Sequence, residues 1–575
     1  MVRGPVAEPA PAPRPRAEGD ATTRHHGPPR RLAAARTWIA RRPWTLVWVV
    51  VAALTVLAFQ LRWRGLAGPL WIDEGISTGI ASHPLTEIPG LLRQDGSPPL
   101  YYLLLHVWIQ LFGTSEFHLH AMSVGFALLA VPAAAWAVAR TFGPLASCLA
   151  AALIAVLPYV GLYADEVRMY SLVLLLALLT TGAFLRAYVE RDRRWIPGFG
   201  VALVLVLYSH NWGLFFAMAV ALAFLVLLAV TPDRRRLLLE GAAGFGLTAV
   251  LFAPWLPTLA FQSAHTGAPW SHEPSWKSLS RGTTYILGGS LPDAVLLLVV
   301  GAGLAQLAVS GTARQRRAAA ATLVLAAGTL LIAYAWSRLA SPAWAQRYLV
   351  VVLAPLIVLM AAGLSRARGL GVAAVVVCFL FAWQGKPTLG VLGSKSNVRD
   401  LATAVGPRLP HGTLVFSPQP EQVPNLVYSF PAGLQWLTPL GTPPDASVMD
   451  WRDAMGKLDA ARYDTVLRPA VAGLAPGTRL LLVQAMFKHP TAPWTRRIRV
   501  IARQWRNALG REPTLQLIRY LRPVGSSTRS KVSGWLYVKR ARPLSSSSAR
   551  RASVTIETVG VVRRTHGHRR GRHLP

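Results

Sequence analysis

Along the first two thirds of the chain, apolar runs of roughly 17 to 25 residues alternate with short polar connectors, the length a helix needs to cross a bilayer. The runs fall near 44–61, 119–139, 145–162, 170–187, 195–209, 212–230, 237–260, 293–310, 318–336, 348–364 and 369–384. They predict a polytopic α-helical membrane protein with about eleven transmembrane helices. The fifth and sixth runs are parted only by Ser209-His210-Asn211. One helix of about 35 residues would be about 52 Å long against a core of about 30 Å, so two spans are required. Between 395 and 540, short β-like stretches (Gly412 to Ser417, Thr478 to Val483, Leu515 to Leu521, Gly534 to Lys539) alternate with helical ones (Val398 to Val405, Trp451 to Ala461, Trp494 to Leu509). That alternation predicts a small α/β domain. The expected organisation is a tail at 1–40, a transmembrane domain at 41–390, the α/β domain at 391–540 and a second tail at 541–575. Pro, Ala and Arg dominate the first tail and Ser, Arg and His the second, compositions that predict disorder.

Charge orients this pattern. The 575 residues carry a formal charge of +35 with 53% hydrophobic content. Such a charge would ordinarily suggest nucleic acid, but the arginines cluster in the connectors and tails. Arg140, Arg191 with Arg193-Arg194, Arg234 to Arg236, Arg314 with Arg316-Arg317, and Arg366 with Arg368 all follow even-numbered spans. By the positive-inside rule these connectors are cytoplasmic, and the clusters read as topology and contact with anionic lipid, not as a nucleic-acid site. The apolar stretch after Arg41-Arg42 resembles a signal peptide's core yet precedes many further spans, so it reads as an uncleaved first helix. A multi-pass plasma-membrane protein is expected, its N-terminus cytoplasmic and its α/β domain extracytoplasmic. Cys148 and Cys378 both lie in apolar runs, which indicates neither a disulfide framework nor a cysteine metal site.

On this topology two acidic pairs reach one outer face: Asp73-Glu74 in WIDEGIS and Asp165-Glu166 in YADEVRMY. An Asp at a membrane helix centre costs roughly 2.5 to 3.5 kcal/mol, so pairs kept at the bilayer edge point to chemistry. The first outer loop, about 62–118, also holds DGSPPLYYLLLHVW. Its rigid Pro98-Pro99 turn leads into an apolar helix with a Tyr101, Tyr102, His106 face, which fits a re-entrant or interfacial helix. His83, Asp95, Arg168, Tyr170, His210, Trp212, Arg338, Arg347 and Tyr348 are assigned to the same face. Acids facing arginines there suit a carbohydrate hydroxyl and a phosphate, with Arg168, Arg338 and Arg347 as the phosphate candidates. Plainer roles compete: helix capping for Asp73 and for the second pair, an internal salt bridge for Arg168, snorkelling for Arg338 and Arg347, and a structural role for His106. Asp73 and Glu166 with His83 or His210 would suit a divalent cation, but no ligand spacing calls for one, and no cofactor is required by the sequence.

WIDEGIS, DGSPPLYYLLLHVWIQLFGTSEFHLHAMS, LYADEVRMYSL, YSHNWGLFF, APWLP and QRYLVVVLAPLIVLMAAGL occur in an order that resembles the lipid-linked-sugar glycosyltransferases of the C superfamily. The pattern is similar to the protein O-mannosyltransferases and the aminoarabinose transferases of lipid A, and it covers roughly residues 44–385. The resemblance implies transfer of a sugar, with mannose favoured, from a polyprenyl-phosphate donor to an extracytoplasmic protein, lipid or glycan acceptor with inversion. It implies Asp73 as catalytic base, with Glu74 and Glu166 as further catalytic residues. Glu166, Arg168 and Tyr170 match the second acidic motif, and Arg347-Tyr348 match a phosphate-contacting pair. Asp95, Tyr101, Tyr102, Asp165 and His210 are taken as acceptor-side or supporting residues. Asp165 departs from the Gln that many relatives carry, and Ser97 stands where relatives often have His.

The chemistry is compatible with these residues. Glycosyl transfer from a phosphate needs a base for the acceptor hydroxyl and cations for the leaving group. No P-loop or G-x-G-x-x-G fingerprint occurs in a strand–helix context, so a soluble nucleotide is not the expected donor. Two other classes stand beside this one. A transporter or flippase for a lipid-linked saccharide would usually show inverted repeats and midplane polar sites, and no repeat is evident. A non-enzymatic assembly protein leaves the acid pairs unexplained.

Overall fold

The computed structural model describes residues 43–384, 395–487, 491–523, 531–543 and 554–559. The chain divides into two compact units, Met1–Leu46 and Val47–Pro575, and the helical bundle and the sheet both belong to the second. The expected tail at 1–40 lies outside the described residues, as does most of 541–575.

A helix stands at each of the eleven predicted positions. Among the described residues, eight are long and apolar enough to cross a membrane: Pro43–Arg62, Glu116–Phe142, Tyr170–Val189, Gly213–Val230, Arg234–His265, Ser290–Ser310, Ala313–Leu339 and Gln346–Arg366. A ninth position is a broken span, Pro144–Val156 and Pro158–Ala164, bent by 56°. Pro158 explains the break, because a proline forces the preceding residue out of the helical region and Leu157 sits at φ −62, ψ 125. The other two helices, Ile196–Leu207 and Gly369–Gln384, are shorter. The 12 residues of Ile196–Leu207 rise only about 18 Å, less than the hydrocarbon core.

The arginine-bearing connectors meet one another at one end of the bundle. Arg140 pairs with Glu190 at 2.8 Å and Asp192 at 2.7 Å, while Arg191 and Arg193 pair with Glu240 at 2.9 and 2.6 Å. Gln315 donates to the Thr141 carbonyl and accepts from Arg366. Connectors from five places in the sequence thus share one end, as the charge pattern requires. The opposite end gathers the first long loop, folded as the short helices Ile72–Ala81, Ile88–Asp95 and Leu100–Phe112, with the turn around His210 and the segment before Gln346. Asn211 Nδ2 donates to the Gly96 carbonyl at 3.0 Å, and the Trp212 indole donates to the Ala343 carbonyl at 2.8 Å.

The α/β domain is built on one six-stranded sheet of order β2-β1-β3-β5-β4-β6. Its strands are β1 (Leu414–Phe416), β2 (Gln435–Leu437), β3 (Arg479–Ala485), β4 (Leu515–Pro523), β5 (Val532–Lys539) and β6 (Thr555–Val559). β1 runs parallel to both β2 and β3, and β5 is antiparallel to β3 and β4. Strand alternation divides the core. Leu414, Phe416, Leu480 and Leu482 join the apolar cluster that continues into the helical bundle, while Val415, Leu481 and Val483 pack with Val398, Leu401 and Val405 on the other face. β6 corrects the expectation of a wholly disordered tail at 541–575: the Ser- and Arg-rich composition hides a five-residue strand that pairs parallel with β4.

The domain seats on the Ile72–Ala81 helix through two glycines. A Cβ on Gly75 would lie 2.6 Å from the Asn425 backbone, and one on Gly79 would lie 1.8 Å from the Ser447 carbonyl oxygen. Polar contacts flank this seam: His83 Nε2 meets Asp445 at 2.6 Å, Asn425 Nδ2 donates to the Leu70 carbonyl at 3.1 Å, and Arg399 pairs with Glu116.

Candidate active site

At the end opposite the arginine connectors, a cavity of about 420 Å³ lies between the bundle and the α/β domain. Asp73, Asp95, Arg168, His210, Arg347 and Tyr348 line it from the helical part, and Gln419, Glu421, Trp451 and Phe487 line it from the domain.

WIDEGIS reaches this cavity through the first turn of a helix. Trp71 is its extended N-cap, and the Trp71 N–H donates to Glu74 Oε2 at 2.9 Å, so Glu74 makes the cap that the sequence left open for Asp73. The other Glu74 oxygen accepts the Val167 N–H at 2.9 Å and the Lys395 ammonium at 2.7 Å, and His120 Nε2 lies 3.0 Å away. Glu74 is fully buried behind the cavity, tying WIDEGIS to the YADEVR turn and to the first described residue of the α/β domain. Burial alone would raise its pKa, but the Lys395 charge and then His120 outweigh it and hold it at about 2. Glu74 is therefore a buried carboxylate of the framework, away from the cavity wall.

Asp73 is the member of the pair that faces the cavity. Its Oδ2 lies 3.3 Å from Arg347 Nη1, and both side chains keep about a fifth of their surface accessible. Arg168 is fixed beside them: its Nη1 donates to Ser77 Oγ at 2.9 Å, to the Tyr102 hydroxyl at 3.3 Å and to the Asp73 carbonyl at 3.3 Å. The Tyr102 hydroxyl in turn faces Asp95 Oδ2 at 3.5 Å. Burial pushes the Asp95 carboxyl upward, against a Ser97 hydrogen bond and the Arg168 charge. His210 accepts the Trp212 N–H on Nδ1 at 3.0 Å and packs on Tyr348 at 4.7 Å between ring centres. Burial, then the Arg168 and Arg347 charges, drive its pKa down to about 3, so the ring is neutral and its proton sits on Nε2.

Other predicted residues stand elsewhere. Tyr101 is buried with its hydroxyl 3.2 Å from Ser123, and Tyr170 is buried against Tyr163 and His210. Glu166 is buried and does not line the cavity. Asp165 is buried against Gly65, where a Cβ would come within 2.6 Å of its carboxyl carbon. Burial raises its pKa to about 7 against the pull of Arg62 and Lys395. Arg338 pairs with Glu273 at 3.1 Å away from the cavity, which removes it from the phosphate-facing set. Among the described residues, no three His, Cys, Asp or Glu side chains gather as a metal site would require. His83 is committed to Asp445, so the candidate cation ligands are not brought together.

Sequence reasoning missed Lys395, His120, Gln419 and Glu421. Glu421 follows Pro420 just after β1, is only 6% exposed, and bonds through Oε1 to Gln419 Nε2 at 2.8 Å. Burial lifts its pKa to about 7, opposed by hydrogen bonding from Gln419 and Trp494. No local pattern marks any of the four, because Lys395 and His120 take their role from Glu74, and Gln419 and Glu421 from a cavity whose other walls lie far away in the chain.

No protein-family model and no curated protein matches the chain. Solved structures do. ArnT from Cupriavidus metallidurans in the apo state aligns at TM-score 0.57 with 14% identity, over 88% of this chain and 98% of that one. The same protein bound to undecaprenyl phosphate aligns at 0.55 with 14% identity, over 86% and 98%. The archaeal oligosaccharyltransferase AglB from Archaeoglobus fulgidus, in complex with an inhibitory peptide and a dolichol-phosphate, aligns at 0.51 with 13% identity, over 78% and 70%. The chain shares the fold of these solved structures.

Proposed function

We propose that this protein is an integral-membrane glycosyltransferase that moves a sugar, with mannose favoured, from a polyprenyl-phosphate donor to an acceptor on the extracytoplasmic face. The observation that carries this reading is the Asp73–Arg347 pair at 3.3 Å on the wall of a cavity flanked by Arg168. A carboxylate and two guanidiniums converging there suit one hydroxyl and one phosphate. Structures of similar fold support the donor class, since they hold undecaprenyl phosphate in ArnT and a dolichol-phosphate in AglB.

In this reading the arriving phosphate takes the Arg347 guanidinium, which binds phosphate oxygens through its planar fork. Asp73 is then free to accept the acceptor's hydroxyl proton as the acceptor oxygen bonds to the anomeric carbon. The bond from that carbon to the phosphate oxygen breaks on the opposite face, and the polyprenyl phosphate leaves with the electron pair, its charge met by Arg347 and Arg168. Direct displacement inverts the anomeric centre without a sugar–enzyme bond. Tyr102 and Ser77 hold Arg168, and neutral His210 offers an Nε2–H donor to the cavity. No cofactor enters these steps.

The test is transfer from radiolabelled undecaprenyl-phosphate mannose by purified protein in nanodiscs. Asp73→Asn is expected to lower turnover by about 10² to 10⁴, the usual contribution of a general base, while lipid binding persists. Undiminished turnover rejects Asp73 as the base.

A further inference from the structure

We propose that the α/β domain supplies the subsite that reads the sugar carried by the donor, through the side chains of Gln419 and Glu421. The inference rests on the glycosyltransferase reading and adds to it where specificity resides.

The strand order of the domain points to this wall. β1 is followed in sequence by β2 on one side of it, and the chain then crosses to β3 on the other, so the strand order reverses at β1. In open α/β sheets, ligands bind outside the carboxyl ends of parallel strands at such a reversal. The segment leaving the carboxyl end of β1 carries Gln419 and Glu421, and the segment leaving β3 carries Phe487. All three line the cavity that also holds Asp73 and Arg347. The ligand crevice expected for the domain alone therefore opens into the site formed by the helices.

Unspent hydrogen-bonding capacity marks the same place. Gln419 and Glu421 bond to each other through one group each. The remaining Gln419 Oε1 and Glu421 Oε2 are buried without a hydrogen-bond partner of good geometry, although the Trp494 indole N–H does reach the Glu421 carboxyl. Buried polar atoms without partners are rare, and here both belong to residues on one cavity wall. Two adjacent acceptors match vicinal sugar hydroxyls, each of which is both donor and acceptor. Trp451 and Phe487 add apolar surface for the C–H face of a sugar ring. Phosphate held by Arg347 and acceptor oxygen held by Asp73 would leave the transferred sugar between them, facing this wall.

Binding measurements in nanodiscs test the assignment, using bare undecaprenyl phosphate beside undecaprenyl phosphate carrying mannose, glucose, galactose or arabinose. The wild-type protein is expected to prefer one glycosylated lipid over the bare lipid by about tenfold or more, as lost hydroxyl contacts at polar sites ordinarily cost. Glu421→Ala and Gln419→Ala are expected to erase that preference while bare-lipid affinity stays unchanged, which also reports that the variants fold. Glu421→Gln, which can still bond a hydroxyl, should keep part of it. An undiminished preference in both alanine variants overturns the proposal, and so does a wild type without preference. A wild type that binds no undecaprenyl phosphate at all would instead sink the glycosyltransferase reading beneath it.

Discussion

Successive side chains in a helix point about 100° apart, and in the first turn of Ile72–Ala81 that rotation sends Glu74 inward to its own N-cap and Asp73 outward to the cavity. Both acids were legible as candidates, but which of them meets substrate depended on what packs behind the helix. Lys395 supplies that backing, and it follows a transmembrane helix with nothing in its local sequence to mark it. Its removal has a definite consequence. Lys395→Met leaves Glu74 as a buried charge without its ammonium partner, and breaking such a pair costs about 3 to 5 kcal/mol. A lower thermal unfolding midpoint in detergent is expected, and an unchanged midpoint would refute the stabilising role of the Lys395–Glu74 pair. The Glu74 pKa, held at about 2, is lower than in an unfolded chain. Its stabilisation is therefore complete above the ordinary carboxylate range and is lost only as pH falls towards 2. The arginines separate in the same way. Arg347→Ala should weaken binding of undecaprenyl phosphate by about tenfold or more, as loss of a charged hydrogen-bond partner does, whereas Arg338→Ala, paired with Glu273, should not. Equal effects from the two would contradict the phosphate role.

At the scale of elements, the apolar helices were readable because a bilayer-length run is a local property of sequence. Even the Ser209-His210-Asn211 break stands where helix length required it, between Ile196–Leu207 and Gly213–Val230. The bend at Leu157–Pro158 was not anticipated, although the proline announces it. β1, β3, β4 and β5 were visible as apolar or alternating runs. β2 and β6 were not, since three and five residues among Gly, Ser and Thr carry little periodic signal, and pairing with β1 and β4 forms them. Gly75 and Gly79 lie four residues apart, hence on one face of their helix, and they let that helix approach the α/β domain backbone. Gly79→Ala forces a methyl against the Ser447 carbonyl, and overpacking of this kind costs about 1 to 3 kcal/mol. A fall in melting temperature is the expected result, and a neutral substitution would show that the seam can open without loss.

For the whole molecule, two folded parts share one cavity, and neither encloses it alone. The arginine connectors at the other end of the bundle predict its orientation. A tag inserted after Arg540 should be accessible from outside intact cells, and protection there would reverse the assignment. Near neighbours along the chain were enough to reveal the run of apolar helices, the segregation of arginines to alternate connectors, the α/β character of the last third, and the presence of acids and arginines in the other connectors. Tertiary structure alone decided which acid faces the cavity, that Arg338 stands apart, and that Lys395, Gln419 and Glu421 belong beside WIDEGIS. The physical reason is separation along the chain. Lys395 meets Glu74 across 321 residues, and a cavity wall assembled over such distances leaves no periodicity in any one segment.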